Sequence, residues 1–174
     1  MTYPRKFFLN LASNSISLVV EQDHEQKVLD SFDPNEPAAN EELKKLFNLA
    51  KALNYYIPEI EINLPENLLK NETLITNNPI SKKEAIDLIN KRKSNDKNGI
   101  ISLTTENIGT RATSITYIQA SLINEVKEFV EKAGFLIKKF NIGKFSFENN
   151  SKLKFNFKKF LDHIKFLKLK KLAR

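Results

Sequence analysis

Two histidines, four glycines and no cysteine are the stock from which this 174-residue chain could build the commonest catalytic sites. A nucleophilic site needs a serine or cysteine beside a base that a third group orients. His24 falls in a short polar turn and His163 in a lysine-rich stretch, and neither neighbours a nucleophile-elbow pattern. Without cysteine there are no disulfides and no thiolate metal sites, and two separated histidines cannot make a histidine-rich one. Gly99, Gly109, Gly134 and Gly143 form neither a P-loop nor a dinucleotide fingerprint. Carboxylates remain: Glu59, Glu61 and Glu66. Glu59 and Glu61 stand two apart in an alternating run, hence on one face of a strand, opposite Ile60 and Ile62. That could serve as an acid/base pair, but it is also the pattern of a solvated face on a half-buried strand, and it is read so. No catalytic residue, cofactor or metal is expected.

Charge is the other possible carrier of function. The net charge is +7. From Ser151 onward nine Lys/Arg stand against Asp162 alone, giving +8, which leaves 19 bases and 20 acids in the first 150 residues. The body is neutral, and one short segment carries the whole basic signal. Its apolar residues start at strand spacing and shift to helical spacing from Phe157, through Phe160, Leu161 and Ile164. Lys158, Lys159, Lys165, Lys168, Lys170, Lys171 and Arg174 are interleaved with them. A cationic amphipathic segment can lie on anionic lipid, dock on a protein, or contact nucleic acid phosphates. It can equally pack its apolar side on its own domain. Membrane or partner docking is the functional expectation, with nucleic acid behind it.

The elements that would position any site follow from apolar periodicity. Residues 7–12, 15–20 and 26–32 read as a three-stranded meander, with turns at Ser13-Asn14 and around His24. From Asn40 to Asn54 the period changes: Leu43, Leu46, Phe47, Ala50 and Leu53 mark one face of a helix, with Asn40 as N-cap. Residues 59–64 alternate as a strand ending at Pro65, and 68–76 form another. Ser81 and Glu84 make a capping box for a second helix. Strands at 100–105 and 113–119 form a hairpin after a polar turn over 91–99. Ser121 caps a helix over 122–133, with Leu122, Val126, Phe129, Val130 and Ala133 on one face, and Gly134 stops it. A last strand covers 135–142. This order predicts an α/β (α+β) fold: a mixed β-sheet with about three helices over 5–145, and a basic amphipathic tail over 146–174. No apolar stretch approaches the roughly 18 residues a membrane span needs, and the start, MTYPRKFFLNL, has no signal-peptide pattern.

Several phrases resemble a known family. Leu9-Asn-Leu-Ala-Ser-Asn-Ser-Ile-Ser-Leu18 looks like the first phosphate-loop hairpin of the actin-like fold. Ile62-Asn-Leu-Pro-Glu-Asn67, the helix start from Pro79 to Ile89, and Tyr117 to Phe129 followed by Ala133-Gly-Phe135 resemble the amino-terminal region of PilM/GspL-like proteins. Those are proteins of type IV pilus and type II secretion systems. The resemblance covers about 7–143 and implies half of an actin-like (RNase H-like) lobe. Actin-like ATPases carry an acid on the first strand to manage Mg²⁺, and a glycine that lets backbone approach phosphate. Here the matching positions hold Asn10 and Ala12, and Ser17 stands where relatives often carry lysine. The resemblance therefore implies a cytoplasmic, non-enzymatic scaffold with a degenerate nucleotide site, binding other proteins, peripheral to the inner membrane.

Overall fold

The computed structural model describes residues 5–54, 56–92 and 99–149. The tail from Asn150, with every basic and apolar residue singled out in it, lies outside them, as does most of the polar stretch expected as a turn over 91–99.

The chain opens with β1 (Lys6–Ala12), β2 (Ser15–Gln22) and β3 (Glu25–Phe32). Asp23 and His24, between β2 and β3, both have positive φ, 54° and 67°. A two-residue hairpin turn of the primed type needs that geometry, because only then does its twist match the strands. His24 thus serves a turn. Then come α1 (Ala39–Leu53), β4 (Glu59–Leu64), a single 3₁₀ turn (Glu66–Leu68) and β5 (Lys70–Ile75). They are followed by α2 (Lys82–Arg92), β6 (Ile100–Ile108), β7 (Ala112–Gln119), α3 (Ala120–Ala133), β8 (Leu136–Ile142) and β9 (Phe145–Glu148).

The mixed sheet is there, in the order β3-β2-β1-β4-β8-β9, with β1, β4 and β8 parallel and the other neighbours antiparallel. A meander that passes through helices to two parallel strands is the arrangement the resemblance to an actin-like lobe implies. Two features depart from the expectation. The strands between β4 and β8 form a separate antiparallel sheet, β5-β7-β6, because they have their own apolar face: Leu74, Ile115 and Tyr117 pack with Ala85 and Ile89 of α2. The main sheet also runs on into β9, across the boundary expected at 145/146.

The larger core lies between the main sheet and two helices. Leu43, Leu46 and Ala50 of α1 and Ile123, Val130 and Ala133 of α3 meet Phe7, Leu9, Ile60, Ile62, Phe140 and Ile142. Phe47, Leu53, Leu122, Val126 and Phe129 line its margin, so the expected helical stripes hold, with Ile123 an addition to them. Arg5 ties the core's edge together: its Nη1 donates to Leu53 O at 2.7 Å and its Nε to Gln22 Oε1 at 3.0 Å. A cation at the carbonyl end of α1 complements the helix dipole.

Both expected asparagine and serine N-caps are displaced. The helix α1 starts one residue before Asn40, at Ala39, and its N-cap Ala38 makes no side-chain bond, while Glu41 and Glu42 still lie in the first turn. The helix α3 starts at Ala120 directly after β7, which puts Ser121 in the first turn behind Gln119. In α3 the incoming strand sets the chain direction, and local capping preference yields to it. The capping box of α2 is present: Ser81 N–H donates to Glu84 Oε2 at 2.7 Å, and Glu84 N–H to Ser81 Oγ at 3.3 Å. These bonds hold the Glu84 carboxyl below its ordinary range, the Ser81 backbone N–H first and its side chain second. A lowered folded value means stability that is present above the unfolded value and lost as pH falls through the folded one. Acid titration monitored by far-UV circular dichroism should therefore show helix loss that shrinks in Glu84→Gln. An identical acid profile in the variant would contradict the assignment.

Candidate functional site

The three parallel strands each carry the same short pattern near their carboxyl ends, an asparagine between two apolar residues. These are Leu9-Asn10-Leu11 on β1, Ile62-Asn63-Leu64 on β4 and Phe140-Asn141-Ile142 on β8. Alternation sends the apolar neighbours Leu9, Ile62, Leu64, Phe140 and Ile142 into the core and the asparagines to the opposite face. Register then aligns them, Asn10 with Asn63 and Asn63 with Asn141. The result is a row of amides across the sheet centre. Asn63 Nδ2 donates to Asn10 Oδ1 at 2.6 Å, and Asn141 Nδ2 donates to Asn63 Oδ1 at 2.8 Å. Open α/β sheets place ligands outside the carboxyl ends of their strands, so this is where a site would be sought.

Of the sequence-derived positions, Asn10 and Ser17 are brought together, being direct cross-strand partners. Ala12 closes β1 opposite Ser15, exposed beside the turn. Charge near the row is already paired. Glu61 lies one register step away, its side chain only 15% exposed, with Lys139 Nζ at 3.1 Å and Asn141 Nδ2 at 3.3 Å. The solvated-face reading thus holds for exposed Glu59 and fails for Glu61, because β8 sets Lys139 in register beside it. The two carboxylates thus sit in different surroundings, Glu61 paired and Glu59 solvated. Neutral amides can orient one another, but they supply no negative charge for a divalent cation. Among the described residues no group of three or more His, Asp or Glu is placed to hold a metal ion.

Sequence reasoning flagged Asn10 and missed Asn63 and Asn141. The recurrence of apolar-Asn-apolar in three predicted strands was the available signal. Shallow grooves lie elsewhere among the described residues. One, of about 340 Å³, is lined by Asn40, Lys44, Phe129, Lys132 and Ala133 between α1 and α3. Another, of about 410 Å³, is lined by Arg5, Lys51, Ala52, Leu53 and Asn54. Neither reaches the amide row.

No protein-family model matches the chain, and no curated protein does. Among solved structures it is similar to the cytoplasmic domain of EpsL, an inner-membrane component of the type II secretion system of Vibrio cholerae. That match has 12% identity and a TM-score of 0.48, covering 79% of this chain and 56% of the other. It is also similar to the PilM–PilN type IV pilus biogenesis complex, with 10% identity and a TM-score of 0.46 over 79% of this chain and 47% of the other. A third is a Bacteroides thetaiotaomicron protein with an actin-like ATPase fold and unknown function. There the identity is 14% and the TM-score 0.39, over 77% of this chain and 52% of the other. The chain spans about half the length of each of these three structures.

Proposed function

We propose that this chain is a non-enzymatic scaffold that binds other proteins on the cytoplasmic side of a pilus or secretion assembly, without using nucleotide. The amide row carries this reading. At the position where an actin-like ATPase needs a carboxylate for Mg²⁺, Asn10 instead accepts a hydrogen bond from Asn63. Its carbonyl is engaged in holding strands together, and its amide has no charge to offer a metal–phosphate complex. The Ala12 side chain adds a Cβ where phosphate would approach backbone. The sequence resemblance to PilM/GspL-like proteins supplies the class of assembly. Among the described residues no helix is long and apolar enough to cross a membrane, which fits a peripheral place in such an assembly. Exposed apolar residues offer protein contacts: Ile75 and Ile108 flank Ala112 on one face of the smaller sheet, 81% and 57% exposed.

Calorimetric titration of the full chain with Mg-ATP tests the reading. No saturation is expected below about 1 mM, which corresponds to binding weaker than about 4 kcal/mol. Micromolar binding, or ATP hydrolysis above background, overturns it. The neighbouring genes test the assembly class separately. Pilus or secretion genes beside this one support it, and an operon of metabolic enzymes tells against it.

A further inference from the structure

One face of the smaller sheet lies under α2: Leu74, Ile115 and Tyr117 meet Ala85 and Ile89 there. Alternation sends Ile75 and Ala112 to the other face, and register sets Ile108 with them in one row across β5, β7 and β6. Farther along β7, Ile118 belongs to the larger core. Ala112 and Ile118 are six residues apart, about 20 Å of strand, so the isoleucine row marks the end of the smaller sheet remote from that core. Thr76 N–H closes this end by donating to Arg111 O at 2.8 Å. The turn between β6 and β7 projects beyond it, since a Cβ built on Gly109 would meet nothing within 4 Å.

Charge is sorted at this end. Arg111 adjoins the row, and Lys82 and Lys83 open α2. The last turn of α2 lies at the inner end, where a Cβ on Gly99 would come within 2.9 Å of Asn90 Oδ1 and Gly99 O accepts from Ala120 N–H. Its first turn therefore faces the remote end. Arg111, Lys82 and Lys83 are exposed, and none has a carboxylate partner among the described residues. The nearby acids stand back. Glu84 is held by Ser81 in the capping box, Asp87 lies a turn farther along α2, and Glu106 lies one row inward beside Ser114. Three free cations thus ring two aliphatic side chains that are 81% and 57% exposed. The isoleucines stand two strand spacings apart, about 10 Å, on a projecting end. A protein would need a matching pair of pockets to bury both, whereas a bilayer has no shape to match. Lipid is thus the partner this row fits ahead of a protein.

We infer that the remote end of the smaller sheet dips into an anionic bilayer surface, with Ile75 and Ile108 in its apolar margin and Arg111, Lys82 and Lys83 on lipid phosphates. This contact would seat the proposed scaffold on a membrane, and it is tested apart from nucleotide binding. The chain has no cysteine, so a single introduced one reports on one place. T110C in the full chain, carrying an environment-sensitive fluorophore, is titrated with vesicles of phosphatidylcholine alone or mixed with phosphatidylglycerol. A blue shift is expected with the mixed vesicles, and none from L49C on α1, which is 36% exposed. Ile75→Ser together with Ile108→Ser should weaken the binding read at position 110 by roughly tenfold for each isoleucine. Both side chains are exposed, so circular dichroism should show the fold unchanged. Arg111→Gln, Lys82→Gln and Lys83→Gln should each weaken it roughly fivefold on the mixed vesicles. Residues 150–174 carry eight net positive charges, enough to attract anionic vesicles by themselves. Vesicle binding without a change at position 110, or a blue shift that the serine variant keeps in full, therefore overturns the inference. So does shielding of position 110 that grows with protein concentration in the absence of lipid, the mark of self-association.

Discussion

Phe135→Ala is expected to destabilise the fold by about 3–5 kcal/mol, the cost of removing a large buried aromatic and leaving a cavity. Phe135 is 1% exposed and meets the Phe47 ring edge-on, centroids 5.2 Å apart, so it joins α1 to the start of β8. The residue before it is equally constrained. Gly134 has φ of 110°, and a Cβ there would come within 3.0 Å of Phe47 Cζ. Gly134→Ala therefore combines left-handed strain with displacement of the same ring, and about 1–3 kcal/mol is expected. Urea denaturation would measure both. Each kcal/mol corresponds to about 2–4 °C in melting temperature for a chain of this size. A loss below about 1 kcal/mol for Phe135→Ala would mean that the α1–α3–β8 core is not the stabilising unit described here.

Asn63→Val is the second large expected effect, and its sign depends on what happens to its partners. Asn63 gives a hydrogen to Asn10 and accepts one from Asn141, so removing it strands the Asn10 carbonyl and leaves the Asn141 amide with Glu61 as its remaining acceptor. Leaving half-buried polar groups unpaired costs about 1–3 kcal/mol. Changing Asn10, Asn63 and Asn141 all to valine removes the orphaned groups with it, and valine suits a central strand. The triple variant should therefore be more stable than the single one, a strongly non-additive result that equilibrium denaturation of the set would reveal. A triple variant that loses the sum of the single losses would show that the row is solvated and its members independent. Neither variant should gain Mg-ATP binding, because no carboxylate is introduced.

Much of this molecule was legible in its sequence because the signals are local. The stripe Leu43, Leu46, Phe47, Ala50, Leu53 needs only a 3.6-residue period to mark a helix, and a buried face follows from it. Ser81 and Glu84 find each other within one turn. Gly134 ends α3 because its own φ demands glycine. What stayed hidden depends on residues far apart in the chain. Asn10 and Asn63 are 53 residues apart, Asn63 and Asn141 are 78 apart, and Glu61 and Asn141 80. Alternation fixes which face each of them takes, but not which strand lies beside it. That choice belongs to the whole sheet: β4 becomes central only because the packing of α1 and α3 brings β1 and β8 to its two sides. The division into two sheets and the displaced start of α3 have the same origin. Burying a shared apolar face outweighs a cap or a turn of about 1 kcal/mol, so tertiary packing decided the neighbours while the sequence decided the elements.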